Sequence, residues 1–241
     1  MNTCKTSRMR IRLPVLLALS LATAAMVAGP LPARALDLSS LSRADATAGV
    51  KATLEKGSSA AVAALGRENG FLANPRVKIP LPDGLRQAEK VMRLMGRQQE
   101  FEDLVVSINR AAEAAIPQAR PLLLSAIRSM TVADAKAILA GGDDSVTRFF
   151  RAKTEKGLTA KFVPIVKQTT DQADLARRYN QLAGQAAGFG MIKAEEARME
   201  NYVAGRAMSG LFLMIAEQER AIRQDPVGTG SAILRKVFGG G

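Results

Sequence analysis

Beyond residue 35, apolar residues recur every three or four positions through almost the whole chain, and convincing stretches of strict alternation are missing. A spacing of three to four buries one side of a helix, whereas alternation buries one face of a strand, so the pattern predicts an all-α protein in which sheet is at most a minor element. Ser42-Arg43-Ala44-Asp45 resembles a capping box with a shortened acid. It opens a segment with Val50, Leu54, Ala61, Val62 and Leu65 on one broad side, which Gly57 is expected to interrupt. Gly66, Gly70, Asn74-Pro75 and Pro80-Leu81-Pro82 then mark the long irregular stretch, in which 77–81 should be extended because residues before proline avoid the helical region.

Asp83 is expected to cap the next helix, whose Leu85, Ala88, Met92 and Met95 stripe ends at Gly96. Phe101, Leu104, Val105, Ile108, Ala112 and Ala115 continue the period to Pro117, and Pro117 and Pro121 should break or kink the chain before Leu122, Leu123, Ala126, Ile127 and Met130 resume it. Residues 131–134 form another cap-like start, and Gly141-Gly142 ends that short helix. Asp143 begins a segment with Val146, Phe149 and Phe150, followed by Leu158, Phe162, Ile165 and Val166 around Pro164.

Asp171 starts another segment, with Leu175, Tyr179 and Leu182, and Gly184, Gly188 and Gly190 predict a loop. The longest helical stretch runs from about 193 to 224. Its section 210–216 is apolar on every side, as a central buried helix requires, and Arg206 and Glu217 flank that section too closely for it to cross a membrane. Residues 231–238 suit a short closing helix. No internal repeat of fixed period is present, so the expected architecture is a single multi-helix domain, an irregular bundle around a central apolar C-terminal helix.

The first thirty-five residues break this pattern. Lys5, Arg8, Arg10 and Arg12 precede an apolar run over 13–28, then Pro30, Pro32 and the small-x-small Ala33-Arg34-Ala35. These are the three parts of a secretory signal peptide, with cleavage expected after Ala35 and a single helical domain over 36–241. The run is shorter than the roughly 20 residues that span a bilayer, so no transmembrane segment is expected after cleavage. Cleavage would remove Cys4 together with five of the 34 basic residues and none of the 22 acids, lowering the formal net charge from +12 to +7.

The composition narrows the chemistry. The chain has no His, and its only Cys lies in the segment expected to leave. Imidazole bases, Ser-His-Asp triads, His-rich zinc sites, thiol nucleophiles and disulfides are therefore excluded from the processed protein. Carboxylate, Lys, Tyr, Ser/Thr and Arg chemistry remains, and no cofactor or metal motif is found: a phosphate-binding GxxxxGK[ST] loop is missing, and Gly228-Thr229-Gly230 lacks the third glycine of a dinucleotide site. Glu196 and Glu200 stand one turn apart, as half of a carboxylate metal site would, but the accompanying histidines are absent.

Several constellations qualify as binding candidates. Arg86, Lys90, Arg93 and Arg97 are spaced four, three and four apart, which on a helix gathers them on one face where they could meet phosphate groups or simply stand in solvent. Asn109, Arg110 and Glu113 form a polar group beside an apolar stripe, able to fix helix packing or line a pocket. Asp143 and Asp144 are weaker acid/base candidates, because a helix N-terminus attracts acids in any case. Ala204, Gly205, Ala207, Ser209 and Gly210 are small residues that would admit a neighbouring helix or leave a ligand cavity. Eight Phe and two Tyr, mostly on apolar faces, leave few stacking platforms, which disfavours nucleic acid.

Gly70-Phe71, Ile79-Pro80-Leu81-Pro82, Asn109-Arg110-Ala111-Ala112-Glu113, Met130-Thr131 with Asp134-Ala135 and Ile138-Leu139, Tyr202-Val203 with Gly210-Leu211-Phe212, and Glu219 with Ile222-Arg223 and Asp225-Pro226 together resemble an exported bacterial family known as a domain of unknown function, DUF4197. The resemblance covers almost all of the chain after residue 35. It departs from the family pattern at Ser209, where an acid is usual, and at Ala204, where Thr is usual, which speaks against catalysis on the long helix. It implies a helical periplasmic protein, sometimes lipid-anchored in relatives, and no established activity.

The resulting expectation leans against an enzyme and towards a binding or structural role at the cell envelope, with an anionic envelope surface or another envelope protein as partner. The alternatives are an enzyme of carboxylate or Lys/Ser type and a carrier of an apolar ligand in a cavity near Gly205 and Gly210.

Overall fold

The hydroxyl of Ser42 accepts from the amide of Asp45 at 3.0 Å and donates to the Asp45 carboxylate at 2.8 Å. That cap starts helix α1, Arg43–Leu65. The computed structural model that places it describes residues 41–239, apart from 95, 97, 134 and most of 171–197. Helices α2 (Asp83–Leu94), α3 (Gln98–Ala115), α4 (Ala119–Ser129), α5 (Ala135–Ala140), α6 (Ser145–Thr170), α7 (Met199–Gln224) and α8 (Ala232–Phe238) follow, with a 3-10 turn over Ile116–Gln118. No strand occurs among the described residues, so the fold is all-α.

α7 is the central element, packed chiefly against α6 and α1, with α3 and α8 also touching it. Its residues 210–212, 215 and 216 are buried, as a stretch apolar on every side demands. Phe150 of α6 meets Phe212 of α7 edge to face, with ring centroids 5.9 Å apart. Leu54, Leu65, Ile108, Ile116, Leu123 and Phe162 close the core from the surrounding helices. α8 starts on the Ser231 cap and is tied to the start of α1 by Lys236, whose ammonium lies 2.8 Å from the Asp45 carboxylate.

Several local expectations change. Gly57 does not interrupt α1; the helix runs through it and passes close to α7 there, with a Cβ at that position 3.5 Å from Ile215 Cγ2. Asp83 is the first residue of α2 rather than its cap, since the amide of Arg86 donates to the carbonyl of Pro82. Gly96 ends that helix with φ +74°, the left-handed conformation glycine adopts without strain.

The 3-10 turn at Pro117 separates α3 from α4, while Pro121 sits within the first turn of α4, where no amide donor is needed. Pro164 lies inside a continuous α6. Residues 75–77 are in turns and 78–82 have no regular structure. Gly184 and Gly188 are helical where their spacing predicts a loop, and Gly190, Asp171, Leu175 and Leu182 lie outside the described residues. Arg198 is the extended residue before α7, so the long helix begins at Met199 and not near 193.

Candidate functional site

The irregular segment over 66–82 has backbone groups that no helix ladder can satisfy, and α3 supplies their partners. Asn109 is fully buried. Its Oδ1 accepts from the amide of Ile79 at 2.9 Å, and its Nδ2 donates to the carbonyls of Ile79 at 2.9 Å and Val105 at 2.8 Å. One side-chain amide thus imitates a short stretch of strand pairing and satisfies both polar groups of Ile79.

Glu113, one turn further along α3, receives the amides of Phe71 and Leu72 on Oε1, each at 3.0 Å, while Arg110 grips Oε2 at 2.6 Å. Burial alone would raise the Glu113 carboxyl, but the amide of Leu72, the Arg110 guanidinium and the amide of Phe71 outweigh it and hold the group below its ordinary range. The other guanidinium nitrogen of Arg110 donates to Asn69 Oδ1 at 3.0 Å. Asn69 itself has φ 64°, a left-handed turn residue fixed by that contact.

Asn109, Arg110 and Glu113 all hold one segment, which lays Phe71 and Val77 over Gly210 of α7. A Cβ at Gly210 would stand 3.1 Å from Phe71 Cε1 and 3.3 Å from Val77 Cβ. Tyr202 adds a bond from its hydroxyl to the carbonyl of Pro80 at 2.7 Å. At Gly210 the small residues of α7 thus admit a close neighbour, the 71–77 segment instead of a helix, and leave no ligand cavity. At Gly205 a Cβ would meet nothing within 4 Å.

The α2 stripe is exposed at Arg86, Lys90 and Arg93, but Arg86 pairs with Asp83 and Arg93 with Glu89 at 2.9 Å, so little of its charge is unopposed. Arg97 lies outside the described residues. Asp143 is exposed, and Asp144 pairs with Arg148 at 2.9 Å and stands 3.7 Å from Arg220. Neither aspartate is joined to a second carboxylate or to Glu113 by any of these contacts. Glu196 is outside the described residues, and Glu200 is buried beside Arg198 at 2.7 Å. Among the described residues no three Asp, Glu, Cys or His side chains stand close enough to hold a metal ion.

A second polar centre was not assigned a role from the sequence. Glu219 of α7 is fully buried and accepts from the amides of Val146 at 3.0 Å and Thr147 at 2.7 Å, and from the Thr147 hydroxyl at 2.7 Å. It thereby caps the N-terminus of α6 from another helix. Arg223 pairs with Glu219 at 2.8 Å and also donates to the Leu139 carbonyl and the Ser145 hydroxyl, both at 2.9 Å. The available signal was register: Glu219 falls on the line of Phe212, Ile215, Ala216 and Ile222, where an isolated charge must find a buried partner.

No curated protein and no solved structure matches the chain. A family model described as a protein of unknown function, DUF4197, matches residues 40–239. That span takes in α1 through α8 with Glu113 and Glu219, and the chain belongs to the DUF4197 family.

Proposed function

We propose that the protein is exported and acts at the cell envelope by binding an anionic surface rather than by catalysis. One observation carries this reading. The buried carboxylates Glu113 and Glu219 are engaged by backbone amides and arginines, whereas the basic side chains of α6 stand outward. α6 holds Arg148, Arg151, Lys153, Lys156, Lys161 and Lys167 against a single acid, Glu155. Arg148 and Arg151 are paired with Asp144 and Glu155, but Lys153, Lys156 and Lys161 are exposed and have no partner among the described residues. Lys153, Lys156 and Lys167 follow one another at helical spacing through exposed Ala160 and Pro164, and Lys161 flanks that line.

This favours α6 over α2, whose Arg86 and Arg93 are paired with Asp83 and Glu89. A line of lysines near a negatively charged bilayer gains roughly 1 kcal/mol per side chain, screened by salt. Export is supported by the basic and apolar pattern of residues 1–35, by a compact unit over Leu36–Gly241 and by a family match that starts just beyond the expected cleavage point. No helix among the described residues is long and apolar enough to cross a membrane.

Two measurements test the proposal. The native polypeptide should be recovered outside the cytoplasm with Leu36 at its N-terminus; an intact Met1 in the cytoplasm refutes export. The purified protein should sediment with phosphatidylglycerol-containing vesicles at low salt, be released at high salt, and ignore pure phosphatidylcholine vesicles. Lys156→Gln with Lys161→Gln should weaken that binding about thirtyfold, from about 2 kcal/mol lost over two lysines. Salt-insensitive binding, or none, defeats the surface reading.

A further inference from the structure

The end of α4, the connection to α5 and the first half of α6 enclose an open cleft of about 580 Å3. Its walls include Ala126, Met130, Ile138 and Phe149, each half-buried, with Ala126, Met130 and Ile138 packed against the core. Apolar side chains left half-open on one concave wall are an unfilled apolar contact, and the volume lies in the range of small-molecule sites, roughly 300–1,000 Å3.

The polar lining is Lys153 with the hydroxyls of Ser129, Thr131 and Thr154, of which Ser129 and Thr154 donate to the carbonyls of Ala126 and Phe150. Phe149 and Lys153 are one helical turn apart on α6 and both line the cleft. Neither the Lys153 ammonium nor the hydroxyl of Thr131 has a partner among the described residues. None of the described lining residues is acidic. The neighbouring basic groups Arg148 and Arg151 are held by Asp144 and Glu155, whereas Lys153 has no partner among the described residues.

We infer that this cleft binds a single anionic amphiphile, its alkyl chain along Ala126, Met130, Ile138 and Phe149 and its anionic head on Lys153 and Thr131. The chain removes apolar wall from water, and the head supplies a counter-charge that none of the described lining residues provides. This goes beyond adhesion to a charged surface, because it needs one defined site and an apolar chain as well as a charge.

Calorimetric titration separates the two. Decyl phosphate, kept below its micelle concentration, should bind saturably at one molecule per chain, decanol at least about tenfold more weakly, and inorganic phosphate without saturation. Lys153→Gln should weaken decyl phosphate about tenfold, the size of a lost charge-assisted hydrogen bond, and Ala126→Phe should block the cleft. Lys156→Gln with Lys161→Gln, which tests vesicle binding, should leave this titration unchanged. Absence of saturable binding, equal affinity for decanol or for inorganic phosphate, or indifference to Lys153→Gln overturns the inference. Lys153 is exposed, so its substitution does not endanger folding.

Discussion

At Glu113 a single side chain accepts three hydrogen bonds, which its ionised form accepts most strongly. It accepts two backbone amides on one oxygen and a guanidinium on the other. The folded carboxyl is held below the ordinary glutamate value of 4.5, so the stability it contributes is fully present above that value and is lost as pH falls through the folded pKa. Glu113→Gln keeps the shape but not the charge, and should cost about 1.5–3 kcal/mol at neutral pH, the range of hydrogen bonds to charged groups. The gap between the two proteins should then close in acid, below pH 4.5, as wild-type Glu113 becomes protonated. Urea unfolding midpoints from neutral pH to pH 3 check both parts; a gap that stays constant would mean that the charge contributes nothing.

Glycine at two helix positions separates what an element tolerates from what it requires. At Gly57 of α1 an added Cβ makes ordinary contact, 3.5 Å from Ile215 Cγ2, so Gly57→Ala should stabilise by about 0.5–1 kcal/mol through backbone entropy alone. At Gly210 of α7 the same methyl would press on Phe71 at 3.1 Å and Val77 at 3.3 Å, and Gly210→Ala should destabilise by about 1–3 kcal/mol. Thermal unfolding of the two variants should move in opposite directions; a shared sign would show that α7 does not need the close approach. The contrast also marks how far the sequence could be read. Period and the Ser42 cap reveal α1, and period alone α7 and α8, because burial of one face and a capping hydroxyl are local properties. In the sequence Gly57 reads as a break because glycine's low helix propensity is a local signal, and packing against Ile215 overrides it. Asn109, Arg110 and Glu113 were recognisable as a polar group on an apolar stripe, but their partners at Ile79, Phe71 and Leu72 come from a segment with no period at all.

Across the whole molecule, Glu219 and Arg223 join four helices at one point. Glu219 caps α6 from α7, Arg223 reaches the Leu139 carbonyl at the end of α5, and its guanidinium lies 4.7 Å from the centre of the Phe238 ring of α8. An isolated buried ion pair can often be exchanged for apolar residues at little cost, whereas removing one member leaves an unpaired charge and costs about 3–5 kcal/mol. Here the pair carries further work. If both residues are replaced, as in Glu219→Leu with Arg223→Met, the amides of Val146 and Thr147 and the carbonyl of Leu139 lose the side-chain partners that bind them now. Each such buried group costs about 1–3 kcal/mol, so the double variant should remain several kcal/mol below the wild type instead of recovering to it. Each single variant should be destabilised too, and the double should fall short of the sum because the unpaired charge is relieved. Denaturant midpoints of the four proteins measure this cycle. A double variant as stable as the wild type would show that the two residues merely neutralise each other, and that α5, α6 and α8 are assembled around α7 by apolar packing alone.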